Sequence, residues 1–325
     1  MSTPPAVCTP KSRLNYWQRN LKMNGLCPSD PVAQALHTGT PIVALESALI
    51  THGFAPPDNL TIAQRMETTV RKTGATPATI AILDGQPRIG LTADDLIRLA
   101  GDRTARKVSL RDLPLVTARA TNGGTTVAAT MHLAHQAGIS VFATGGIGGV
   151  HRGHSEDISA DLIALARLPL VTVCAGAKAI LDLPRTREVL ETHGVPVIGY
   201  GCDEFPAFYS RHSGLDVDLR VDTPTEVATI ACQRHALGLQ TALLVCVPVP
   251  ESDALPTPEM DAAITQAVQE AESAGIHGKE ITPFLLARIV DLTAGRARLA
   301  NEALLLNNAH VAAQIAQAIS SLICC

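Results

Sequence analysis

Two hydrophobic rhythms alternate along the chain. Short runs that are apolar at nearly every position read as strands buried on both faces: residues 41–50, 141–143, 170–174, 195–201 and 241–250. Between them, apolar residues recur at three- and four-residue intervals, predicting helices over 31–39, 60–74, 93–101, 125–139, 158–167, 185–194, 223–239, 257–276, 282–295 and 299–322. Gly39 ends the first helix, Thr92 and Thr223 stand at capping positions, and residues 78–91 read as a hairpin turning at Asp84-Gly85. Strands alternating with helices predict an α/β fold, a three-layer α/β/α arrangement around a mainly parallel central sheet.

No break in composition divides residues 31–325, which read as one domain. Residues 1–30 differ: Lys11, Arg13, Arg19 and Lys22 are basic and no acid precedes Asp30. That stretch reads as a flexible extension, although its acid-poor character also matches a transit peptide.

Composition narrows the function classes. A net charge of −4 with 3% aromatic residues lacks the basic face or stacking rings of a nucleic-acid surface. The apolar runs have strand length and fall short of a membrane span. Eight cysteines without a C-x-x-C pair, including a terminal Cys324-Cys325, indicate neither a disulfide framework nor a zinc cluster, so a reducing, cytoplasmic setting is expected.

Candidate chemistry concentrates in residues 141–178. A strand runs into Gly145, Gly146, Gly148 and Gly149, whose backbone can wrap an anion and turn N–H groups towards it. Asp157 follows as a predicted N-cap, with Asp161 four residues on, so both carboxylates can face one way. The next strand ends in Ala175-Gly176-Ala177, small residues that leave room beside Lys178. Elsewhere, Glu46 is an acid inside an apolar run, which requires a partner or a chemical role. Lys107 opens a short strand. His132 with His135, and His151 with His154, have a spacing that packing or surface histidines explain better than a metal centre. The scarce aromatics gather at 203–209, a pocket wall or a subunit contact. Asn301, Asn307 and Asn308 are amides in an apolar helix and need partners. G-x-G-x-x-G with its acidic partner, G-x-x-x-x-G-K-[ST] and G-x-S-x-G are all absent.

The sequence resembles the pseudouridine-5'-phosphate glycosidase family, also called indigoidine-synthase-A-like proteins. The resemblance lies in PIVALES-x-x-x-THG at 41–53, KVS-x-RDLP at 107–114, TTVAAT at 125–130, FATGGIGGVHRG at 142–153, DISADL at 157–162, VCAGAK at 173–178, PVIGYG-x-DEFPAFYSR at 196–211 and GKE-x-TPFLLARI at 278–289. Two features depart from the family pattern: a shorter link between Gly153 and Asp157, and Cys202 where threonine is usual. The resemblance implies reversible cleavage of pseudouridine 5'-phosphate to uracil and ribose 5-phosphate, by a homotrimer that uses Mn2+ or another divalent cation. Carried over by position, it implies Glu46 as the general acid and Lys178 as the lysine that bonds to the sugar. Asp157 becomes the metal carboxylate. Lys107, Val127, Thr144, His151, Ser159, Ala160, Asp161 and Asn301 become substrate contacts. The chemistry is consistent: a base joined through carbon is a poor leaving group, and a lysine imine provides an electron sink. A lysine-dependent phosphosugar aldolase and a non-catalytic sugar-phosphate sensor are the competing readings.

Overall fold

In the computed structural model, which describes residues 25–276 and 281–323, the runs apolar on both faces become the strands of one central sheet. In chain order the strands are β1 (Cys27–Pro28), β2 (Ile42–Leu45), β3 (Thr76–Leu83), β4 (Gln86–Ile89), β5 (Arg106–Val108), β6 (Gly123–Thr125), β7 (Val141–Ala143), β8 (Val150–His151), β9 (His154–Ile158), β10 (Val171–Cys174), β11 (Leu181–Asp182), β12 (Val197–Tyr200), β13 (Leu219–Val221) and β14 (Leu243–Cys246). The helices are α1 (Asp30–Thr38), α2 (Ala48–His52), α3 (Asp58–Lys72), α4 (Ala93–Gly101), α5 (Leu113–Ala118), α6 (Val127–Gln136), α7 (Ala160–Arg167), α8 (Leu183–Thr192), α9 (Pro224–Ala236), α10 (Thr257–Ser273), α11 (Ile281–Leu292) and α12 (Arg296–Ile323).

Seven strands, in the order β3-β2-β7-β10-β14-β12-β13, run parallel. β4 joins β3 antiparallel through the Asp84-Gly85 turn, and β6 pairs with β3 antiparallel. Every residue of β2, β7, β10 and β14 is buried, as a sheet covered on both faces requires. α12 packs against β2, β7 and β10, with α3 and α9 beside it. α6 packs over β2, β3 and β4, with α7 as its neighbour. The result is the expected three-layer α/β/α architecture. A continuous apolar core runs from Leu26 to Ile319.

The sheet departs from expectation at its near end, where Cys27–Pro28 pairs with β4 inside the stretch read as an extension. Residues 1–24, 277–280 and Cys324-Cys325 lie outside the described residues.

β2 is the pivot of the topology. The chain leaves it for β3 on one side, and β7 returns to its other side. In open α/β sheets such a reversal opens a crevice beyond the carboxyl ends of the two strands. The residues that follow those ends here are Glu46 and Thr144.

Two local expectations are corrected. Glu46 does not lie mid-strand, because β2 stops at Leu45 and the chain turns into α2. Ser47 enforces that turn: its hydroxyl donates to the Ile80 carbonyl at 2.5 Å and its N–H to the Thr125 carbonyl at 3.3 Å. Asp157 is no helix cap, since it lies in β9. Ser159 caps α7 instead, its Oγ accepting the Asp161 N–H at 3.2 Å. The aromatics of 203–209 are interior, with Phe205, Phe208 and Tyr209 all no more than 3% exposed and the last two rings packed edge to face. The short Gly153–Asp157 link forms a tight antiparallel hairpin between β8 and β9, to which β11 adds a third strand.

Candidate functional site

A cavity of about 500 Å³ opens at the carboxyl ends of β2, β7 and β10. Of the residues singled out from sequence, Glu46, Lys107, Val127, His151, Asp157, Ser159, Ala160, Asp161, Lys178 and Asn301 all line it. Thr144 lies just behind the wall, fully buried, and its hydroxyl donates to Glu46 Oε1.

Each group is set by a local element. Glu46 follows β2 and is fixed by the turn at Ser47. Lys107 comes from β5, whose partner β6 leads through Thr125 into α6. Lys178 follows β10 after a loop that closes on the glycine segment: Ile147 donates to the Gly176 carbonyl at 3.1 Å, and Lys178 donates its own N–H to the Ile147 carbonyl at 3.0 Å. Gly176 has φ +80°, and a Cβ there would stand 2.1 Å from the Pro206 carbonyl oxygen, so the backbone meets the aromatic segment only because no side chain intervenes. Asn308 of α12 anchors the other side, donating to the carbonyls of Thr144 at 2.8 Å and Gly145 at 3.3 Å. Asn307 reaches the Pro248 carbonyl at 3.4 Å.

Burial dominates the electrostatics of Glu46 and raises its pKa. Lys178, the Thr144 hydroxyl and Lys107 pull it back down, and Asp161 pushes it further up. The glutamic acid is therefore biased towards its protonated, donor form, with the Lys178 and Lys107 side chains close enough to influence it. His52 is held towards its neutral form by burial and by Lys107.

The glycine segment is less open to an anion than its composition suggests. The Gly148 N–H already donates to Asp161 Oδ2 at 2.8 Å, and the Ala128 N–H in the first turn of α6 to Asp161 Oδ1 at 3.0 Å. Both Asp161 oxygens are thus engaged by backbone donors. Among the described residues no three His, Cys, Asp or Glu side chains gather as a metal site, and His132 and His135 are remote from the cavity lining. One exposed carboxylate at the cavity, Asp157, suits a hard cation that keeps several of its waters, not an all-protein cage.

Phe208 lines the cavity, in keeping with the pocket-wall reading of 203–209, and so do residues not singled out from sequence: His52, Arg111 and Thr126. His52 Nδ1 shares a hydrogen bond with the Thr51 hydroxyl at 2.7 Å. Thr126 precedes α6 without capping it, and its buried hydroxyl oxygen has no partner among the described residues. The THG, RDLP and TTVAAT motifs carried the signals for His52, Arg111 and Thr126, but hydroxyls, histidines and exposed arginines are too common for type alone to mark them.

The sequence profile described as "Indigoidine synthase A like protein" matches residues 31–318. A pseudouridine-5'-phosphate glycosidase from Methylobacterium nodulans is 54% identical over 290 residues, covering 89% of this chain and 86% of that protein. One from Nocardioides sp. is 52% identical over 291 residues, covering 89% and 95%. Among solved structures, the prealnumycin C-glycosynthase AlnA, crystallised with ribulose 5-phosphate, superposes with a TM-score of 0.85 at 38% identity over 92% of this chain and 98% of its own. An indigoidine synthase A-like protein from Thermotoga maritima gives 0.83 at 35% identity, covering 91% and 96%. Profile, relatives and fold agree: the chain belongs to the indigoidine synthase A-like family.

Proposed function

We propose that this protein is a pseudouridine-5'-phosphate glycosidase, an enzyme that reversibly splits the carbon–carbon glycosidic bond of pseudouridine 5'-phosphate to give uracil and ribose 5-phosphate. The observation that carries the reading is the meeting of a buried glutamic acid, biased towards its protonated form, with Lys178 in a cavity at the switch point of the sheet. The names of relatives more than half identical support it, as does the sugar phosphate held by AlnA.

In this mechanism the Lys178 amine attacks the anomeric carbon, the bond to the ring oxygen breaks, and that oxygen takes a proton released by the attacking amine. The nitrogen lone pair then forms an imine as the carbon–carbon bond breaks. The bond's electron pair goes to C5 of uracil, which takes a proton from Glu46. Water hydrolyses the protonated imine, releasing ribose 5-phosphate and the Lys178 amine, and the proton set free returns to Glu46. Lys107, Arg111 and His151 give the cavity the cationic character a phosphate needs. Thr126, Val127, Ser159, Ala160 and Asn301 shape the remaining wall, and Thr144 supports Glu46 from behind it. Asp157 would hold a divalent cation, manganese by family resemblance, which when bound would supply positive charge to the site. The activity belongs to one domain, residues 31–325, acting as a homotrimer. Cys174 and Cys246, free thiols facing each other on β10 and β14, accord with the reducing conditions of a cytoplasm.

Incubating the protein with pseudouridine 5'-phosphate and manganese should release uracil. Borohydride with ribose 5-phosphate should trap an adduct on the peptide containing Lys178, and Lys178→Ala should lose both adduct and turnover. Chelation should suppress turnover and manganese restore it. An adduct on Lys107, or near-normal turnover in Lys178→Ala, would refute the assignment.

A further inference from the structure

Asp161 lies in the first turn of α7, is 6% exposed, and has both carboxylate oxygens engaged by backbone N–H groups. The two donors belong to different walls of the cavity. Ala128 is in the first turn of α6, which adjoins Thr126 and Val127, whereas Gly148 is in the segment after β7. A third link runs alongside: the Ser159 N–H donates to the Gly149 carbonyl at 2.9 Å, while Ser159 Oγ accepts from the Asp161 N–H. The start of α7 is thus pinned to the glycine segment by the Ser159–Gly149 backbone bond and by the Asp161 carboxylate, and to α6 by the same carboxylate.

Gly148 is fitted to this contact. A Cβ there would lie 2.2 Å from Ser159 Oγ and 2.8 Å from Asp161 Oδ2, so a side chain would force the link open. A carboxylate accepting two fixed N–H groups makes charge-assisted bonds stronger than neutral ones and has little freedom to reorganise around a ligand.

We propose that Asp161 is a positioning residue, whose carboxylate ties the glycine segment to the first turn of α6 and thereby sets the spacing of the walls that hold the substrate. This rests on the glycosidase reading for the reaction it serves, but the link itself does not depend on that reading. A second consequence follows from the same fixed charge. Three charged groups act on Glu46: Lys178 after β10 and Lys107 on β5 favour its ionised form, and Asp161 on α7 opposes them.

Asp161→Asn keeps size and one acceptor but sets an amide group against a backbone N–H. Hydrogen exchange at the Ala128 and Gly148 amides should accelerate at least about tenfold, and kcat should fall by about a hundredfold, the scale expected when reacting groups shift by about an ångström. The high-pH limb of the rate profile, where Glu46 loses its proton, should move to lower pH. Gly148→Ala should reproduce the faster exchange and lower kcat with the carboxylate still present, which keeps the test decisive if Asp161→Asn does not fold. Unchanged amide protection and an unmoved limb in Asp161→Asn, with only KM raised, would make Asp161 a simple substrate contact. Unaltered kcat in Gly148→Ala would overturn the proposal equally. If the wild type failed to release uracil, the glycosidase reading would fall while the exchange measurement still decided whether the link exists.

Discussion

Glu46 is buried like the core residues around it, yet in the proposed reaction it is the residue whose ionisation state has to be controlled. Because burial raises its pKa, the protonated donor form persists to higher pH than for an exposed glutamate, and activity that needs this proton is lost as pH rises through the raised value. The same shift costs stability. A carboxyl group with a folded-state pKa above its unfolded value binds its proton more tightly when folded, so stability is greatest below the unfolded pKa and declines as pH rises through the folded one. Glu46→Gln should therefore reduce kcat by about a hundredfold to ten-thousandfold, the usual range for a general acid, while raising the melting temperature at pH 8. A variant less stable than wild type at that pH, or with kcat intact, would show that Glu46 serves the fold and not the chemistry. Glu46 and Lys178 were legible in the sequence because each is out of place: an acid in an apolar run, and an amine behind small residues at a strand end. Thr126 was not, since a threonine before a helix is read as a cap until its oxygen is seen to cap nothing.

Elements that carry their own punctuation were equally legible. Thr92 and Thr223 form the expected capping boxes, and Gly39 ends α1 in the left-handed conformation. What the pattern could not supply were strands of two residues, β1, β8 and β11, which are too short to show a period and owe their existence to neighbours distant in sequence. Nor could it pair the amides of α12 with their targets. Asn308 lies 164 residues from Thr144 in sequence, yet its side-chain N–H groups hold the carbonyls of Thr144 and Gly145, and it is fully buried. Removing such a partner leaves buried carbonyls unsatisfied at about 1–3 kcal/mol. Asn308→Ala should lower the melting temperature by several degrees and also lower kcat when assayed well below that temperature, because the strand end that positions Thr144 against Glu46 loses its anchor. Reduced stability with kcat unchanged would confine Asn308 to packing.

At the scale of the whole molecule, the alternation of strands and helices made the layered parallel sheet legible, whereas the order of its strands was not. That order decides the site: only because β3 and β7 flank β2 on opposite sides do the groups following β2, β7 and β10 converge on one cavity. A cluster of aromatics at 203–209 reads as sticky when taken as a surface loop, but Phe205, Phe208 and Tyr209 are all engaged inside their own chain, and Phe208 forms part of the cavity wall. A homotrimer, which family resemblance implies, is then predicted to assemble without these three rings. Light scattering of the wild type should give three times the chain mass. Phe205→Ala should remove about 3–5 kcal/mol of packing and lower the melting temperature, yet leave the subunit count unchanged in whatever fraction remains folded. A folded Phe205→Ala monomer would return the aromatic segment to the subunit boundary, and a stable, active wild-type monomer would dispose of the trimer altogether.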